Sequence, residues 1–174
     1  MESILAEEFI AQSIYRMEEK LTHVEKALAQ VSEEDIWKRP NPHSNTIGNI
    51  LIHLCGNITQ YIISSLGEIE DVRQRDNEFA AEGGMTKAEL LAKLQSTVIQ
   101  ANQIIRGLDR ARLLEIRSVQ AYQFSAIGII IHVVEHFSYH TGQIAFWVKL
   151  LKDVDLGFFA GVDLNKKNVH GDVD

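Results

Sequence analysis

The chain has 174 residues, 45% of them hydrophobic and 24% charged, with a net charge of -7. That length suffices for one domain with its own core, and the acidic balance argues against nucleic acid, whose phosphates need a basic field. A single cysteine, Cys55, excludes an internal disulfide and any paired-cysteine metal knuckle.

The first residues, Met1 to Glu8, are acidic where a secretory signal is basic. The longest apolar run, 126 to 151, is interrupted by three histidines, Glu135 and Lys149, so no membrane span is expected. A soluble, cytoplasmic domain is the expectation.

From Glu2 to Val31, Leu5, Phe9, Ile10, Ile14, Met17, Leu21, Val24, Leu28 and Val31 keep helical spacing, with charged residues opposite. Ser32-Glu33-Glu34-Asp35 has cap chemistry for a short turn carrying Trp37. Pro40 to Thr46 then breaks the helix. A second helix is predicted from Thr46 to about Leu66, closed by Gly67, on Ile47, Ile50, Leu51, Leu54, Ile58, Tyr61 and Ile62. Residues 68 to 84 are charged and weakly periodic and read as a long connection. Thr86 with Glu89 forms a capping box for a third helix reaching Leu108 on Leu90, Leu91, Leu94, Val98, Ile99 and Ile105. The stretch from Asp109 to Phe124 is ambiguous, with Ile116 to Val119 able to extend. Ser125 caps a fourth helix that runs to Lys152. The fold class expected is all-α, a four-helix bundle over residues 1 to 152 as a single domain. Residues 153 to 174 read as a tail whose last residues are mobile.

The fourth helix carries His132, His136 and His140 at intervals of four, which stacks them along one side. Three imidazoles on an apolar helix are costly to desolvate unless something binds them. With His136 as zero on a helical wheel, His140 falls at about 40°, Ile129 and Trp147 at about 20°, and His132 at about -40°. The pair His136/His140 therefore shares the apolar seam, and His132 is a neighbour or reserve ligand. A catalytic zinc-type site needs three protein ligands and an open position. His53, set in the other strongly apolar helix, is the best third, because bundle cores pool ligands from facing helices.

Other candidates separate by position. His23 lies on the charged side of the first helix, His170 in the tail, and His43 in the proline loop where it could line a pocket mouth. Cys55 points away from His53 and is expected to pack. Asn57, Tyr139 and Gln143 are candidate pocket or supporting groups; Glu135 is expected to face solvent or a neighbouring helix. Histidines of this kind also occur without metal, since a lone core histidine is common and His-x-x-x-His recurs by chance in helices. Three neutral imidazoles suit zinc, nickel or iron without choosing between them. No glutamate follows His136, so the zinc-protease motif is absent.

The run from Pro40 to Asn57, ending Ile52-His53-Leu54-Cys55-Gly56-Asn57, and the run His132-Val133-Val134-Glu135-His136-Phe137-Ser138-Tyr139-His140-Thr141-Gly142-Gln143-Ile144 resemble the DinB/YfiT-like superfamily. That resemblance implies a four-helix bundle, commonly dimeric, with a divalent metal on one histidine of helix two and two of the last helix. Carried onto this chain, these are His53, His136 and His140. Characterised relatives include metal-dependent transferases that use low-molecular-weight thiols, and a thiol-dependent isomerase. The leading expectation is thus an enzyme in which zinc or nickel, with iron or manganese as alternatives, activates a small thiol for attack on an electrophilic small molecule. A hydrolase using metal-bound hydroxide and a non-catalytic metal-binding homodimer are the rivals.

Overall fold

A computed structural model describes residues 2–168. The chain is predominantly helical, with one small two-stranded sheet. Helix α1 spans Glu2–Leu28 and ends three residues short of the expected Val31. There the backbone tightens, Gln30 N–H donating to the Ala27 carbonyl and Val31 N–H to that of Leu28, before Ser32 caps the short α2, Glu33–Ile36, in a capping box with Asp35.

Helix α3, Ile47–Ile58, starts in a second capping box, Thr46 with Asn49. The predicted continuation to Leu66 is not α-helical. Residues Thr59–Ser64 form a π-helical turn, the widened geometry that recurs at functional sites. The weakly periodic stretch read as a long connection contains α4, Arg75–Ala80. Six residues are too few to show a helical period, and this helix is held by contacts distant in sequence. Asn49 Nδ2 donates to the carbonyls of Glu78 at 3.0 Å and Ala81 at 2.7 Å.

Helix α5, Lys87–Arg106, has the Thr86/Glu89 capping box and stops at Gly107, just before the expected Leu108. Asp109 caps α6, Arg110–Leu114, which the ambiguous stretch concealed. Strands β1, Ile116–Val119, and β2, Tyr122–Ser125, pair antiparallel with Ile116 opposite Ser125. Ser125 then accepts a hydrogen bond from Gly128 N–H and opens α7, Ala126–Lys152. The far end of α7 is the expected Lys152.

Helix α1 packs on α5 and α7, and α3 packs on the same two. Between them lie Met17, Val24, Leu51, Leu54, Leu94, Ile129, Val133 and Phe137, all essentially without solvent contact. Leu5 and Ile99, counted among the apolar stripes, are exposed. No helix is long and apolar enough to cross a membrane among the described residues.

The first part of the tail folds back over α1. Lys26 Nζ donates to the Gly157 carbonyl at 3.1 Å and Leu156 is buried, while Lys152, the last residue of α7, pairs with Asp35 of α2. Phe158 stacks on His23 with ring centroids 4.1 Å apart. His23, expected on a charged face, is therefore buried; the tail supplies a cover that helical periodicity could not reveal. His170 and the last residues of the tail, expected to be mobile, lie outside the described residues.

Candidate metal centre

Helices α3 and α7 bring the three chosen histidines together. His53 Nε2 lies 3.1 Å from His136 Nε2, and His140 Nε2 lies 3.2 Å from the same atom. The ligand atoms of all three lie within 4.8 Å of one another. Two of the three separations are thus near the roughly 3.3 Å between neighbouring nitrogens in a tetrahedral shell with bonds of about 2.0–2.1 Å. His53 and His140 are buried and His136 is half-buried. Burial, then the neighbouring imidazoles His140, His53 and His132, pushes His136 down to about 3. Burial likewise lowers His140 to about 4, against the raising effect of its Gln143 hydrogen bond. All three rings pointing their Nε2 atoms at one place is expensive while they remain protein-only.

The tautomers make this explicit. Arg73 grips Glu78 through two hydrogen bonds, Nε to Oε1 at 2.7 Å and Nη2 to Oε2 at 2.8 Å. Burial alone would raise the Glu78 carboxyl, but the hydrogen bonds from Arg73 and His53 outweigh it and lower it, so it is an anion and only accepts. His53 Nδ1 sits 2.9 Å from Glu78 Oε2 and must carry a proton, since a lone pair there would face the anion. Arg73 Nη2, 3.2 Å from the same Nδ1, is a second N–H converging on that same oxygen, Oε2. His53 Nε2 is then a bare lone pair. His140 Nδ1 lies 2.7 Å from Gln143 Oε1, which with that amide orientation leaves His140 Nε2 bare as well.

His136 cannot satisfy both neighbours. Its Nδ1 is buried with no hydrogen-bond partner. A proton on Nε2 serves one neighbour and strands two lone pairs. A proton on Nδ1 leaves an orphan donor and three lone pairs facing each other. A divalent cation accepts all three at once, so the donor set fits a metal and the three histidines can hold one. No fourth His, Cys, Asp or Glu atom completes the group among the described residues.

The remaining sequence candidates fall around this centre. His132 is outside the convergent set. It stacks on Tyr61 at 4.3 Å, and its Nε2 lies 3.4 Å from Asn57 Nδ2. Gln143 supports His140, as above. Tyr139 is exposed and meets the His140 ring edge to face at 5.0 Å. His43 lines a cavity of about 460 Å³ together with Gln143, Ile50, Phe146 and Trp147, so that cavity adjoins the centre through Gln143 rather than through the converging Nε2 atoms. Cys55 is buried, and burial raises its thiol to about 11, so it is an inert packing group. Glu135 is exposed.

Sequence reasoning missed Arg73 and Glu78. The usable signal is Gly56, one turn beyond His53. A Cβ there would collide with Glu78 Oε1 and crowd Arg73 Nε. A glycine inside an otherwise well-formed helix marks close approach, and here it admits the carboxylate. The π-helical turn belongs to the same neighbourhood. Its Gln60 accepts from Arg73 Nη1 at 2.8 Å and from Gln120 Nε2 at 2.8 Å, while Tyr61 Oη donates to Gln120 Oε1 at 2.9 Å.

The fold and centre define a predominantly helical protein with three histidines able to hold a metal ion. The chain belongs to the family described as "Protein of unknown function (DUF1572)", whose model matches residues 4–160. Among solved structures it is similar in fold to a conserved protein from Enterococcus faecalis, at 15% identity and a TM-score of 0.59, covering 87% of this chain and 98% of that one. No curated protein matches it.

Proposed function

We propose that this protein is a metal-dependent enzyme of the DinB/YfiT-like kind, built as a four-helix bundle on α1, α3, α5 and α7. In this reading His53, His136 and His140 hold a divalent ion, zinc or nickel before iron or manganese. The observation that carries it is the convergence of three Nε2 atoms with no fourth protein ligand among the described residues. Structural zinc sites are closed by four protein ligands, whereas three plus an open position is the catalytic pattern.

Bound there, the ion would act as a Lewis acid that lowers the pKa of a coordinated water or thiol. Three neutral imidazoles leave its double positive charge uncompensated, which favours an anionic fourth partner. Glu78 does not alter that balance, since Arg73 offsets it. Nor is it free to serve as a general base, being bound to both Arg73 and His53. A thiolate suits this arrangement because it is a soft anion that attacks directly. The substrate class is a low-molecular-weight thiol with an electrophilic small molecule. Cytoplasmic placement and a homodimer belong to the same proposal; exposed Ile131, Phe146 and Leu150 on α7 support an apolar association face.

Protein purified without a histidine tag is to be assayed for zinc and nickel, then for consumption of a small thiol with a generic electrophile. Stoichiometric metal and metal-dependent thiol consumption are expected, both lost in His53→Ala, His136→Ala and His140→Ala. Unchanged metal content in all three variants contradicts the site. Product formation without thiol favours the hydroxide-based hydrolase instead.

A further inference from the structure

We infer that Glu78, clamped by Arg73, is the positioning residue that presents His53 to the metal, so that the segment carrying Arg73 and Glu78 is a working part of the centre. The inference rests on the metal reading above and deepens it. His53 is the one ligand that comes from outside α7, and α3 alone does not fix its ring. What fixes it is a buried chain of charge. The Arg73 side chain is 3% exposed and that of Glu78 7%, and both carboxylate oxygens are engaged, Oε1 by Arg73 Nε and Oε2 by Arg73 Nη2 and His53 Nδ1.

An anionic acceptor on Nδ1 does two things for a metal-binding imidazole. It locks the tautomer with Nε2 bare, and it raises the basicity of that nitrogen. The notch at Gly56 admits the carboxylate, since a Cβ there would meet Glu78 Oε1, and Asn49 ties the Glu78 and Ala81 carbonyls to α3. Arg73 is itself steadied by Gln60 of the π-helical turn. The geometry therefore spends one buried ion pair, a glycine and a helix irregularity on the orientation of one histidine. A pair placed only for stability needs none of them, and buried ion pairs are weak contributors to net stability.

Three variants separate positioning from folding. Glu78→Gln keeps the shape and removes the anion, at a cost in stability because Arg73 stays buried without its partner. Gly56→Ala displaces the carboxylate without altering any ligand. Arg73→Gln combined with Glu78→Gln removes both charges together, so no unpaired ion is left buried. Zinc affinity is read by competition with a chromogenic chelator, folding by circular dichroism, and the His53 tautomer by ¹⁵N nuclear magnetic resonance on metal-free protein. All three variants are expected to fold and to bind zinc about 10–100-fold more weakly. The parent is expected to show His53 protonated at Nδ1, with the Nε2–H form gaining population in the variants.

Parent-like zinc affinity in the folded variants overturns the inference, as does a parent His53 protonated at Nε2. His53→Ala distinguishes the two levels: if it binds zinc like the parent, the metal site itself is wrong, whereas loss of binding there with parent-like Glu78→Gln rejects only the positioning role.

Discussion

His53 and His140 are both buried and both point Nε2 at His136, yet they are held in unlike ways. His140 leans on Gln143, a neutral amide three residues along the same helix. His53 leans on Glu78, an anion 25 residues away, itself fixed by Arg73. The first support is local and comes with α7. The second exists only when residues 71–81 are seated against α3. The two sides of one centre therefore have separate vulnerabilities: the α7 side survives anything that leaves the helix intact, and the α3 side depends on a docked segment.

The largest effect comes from breaking the charged support halfway. Arg73→Gln alone leaves Glu78 buried without its cation, and loss of one partner of a buried pair costs about 3–5 kcal/mol. Urea unfolding of the metal-free protein is expected to show that loss, with much of it recovered when Glu78→Gln is added. Equal instability of the single and double variants would mean that the pair is not isolated as described.

Next in size is the neutral support. Gln143→Leu removes the acceptor for His140 Nδ1 but no charge, so zinc affinity is expected to fall by less than in Glu78→Gln, toward the lower end of the 10–100-fold range for such partners. Chelator competition on the two variants side by side ranks them. A larger loss in Gln143→Leu reverses the comparison.

Acid acts first on the α7 side. His136 and His140 are held down to about 3 and about 4 in the folded protein, against about 6.5 in the unfolded chain. Below that value the unfolded chain takes up protons that the folded one refuses, so stability is full above pH 6.5 and declines as the pH falls toward 3. The melting temperature of metal-free protein should therefore be flat above pH 6.5 and drop below it, with a shallower drop in His136→Gln. A curve indifferent to that substitution places the titration elsewhere.

The smallest effect is expected at His132. It stacks on Tyr61 and lies outside the convergent group, so His132→Phe should leave zinc stoichiometry unchanged by direct metal analysis. Loss of metal there makes it a ligand after all.

These contrasts also explain what was legible in the chain. His136 and His140 declare themselves because four-residue spacing on an apolar helix is a local pattern, and His53 because it is the histidine of the other apolar helix. The capping residues Thr46, Thr86 and Ser125 are equally local, and each opens its helix where expected. Glu78 and Arg73 are not legible, since a helix of six residues has no period to read and their partners lie on α3. His23 fails for the same reason: its cover, Phe158, arrives from the far end of the chain. Gly56 is the instructive intermediate, a local oddity whose cause is a distant carboxylate.

X-ray absorption spectroscopy of the zinc-loaded, untagged protein reads the metal shell itself. Three imidazole nitrogens are expected at about 2.0–2.1 Å with one further ligand that changes when a small thiol is added, a sulfur scatterer appearing near 2.3 Å. Fewer than three imidazoles, or a shell closed by four protein ligands and unmoved by thiol, would contradict a three-histidine centre with an open position.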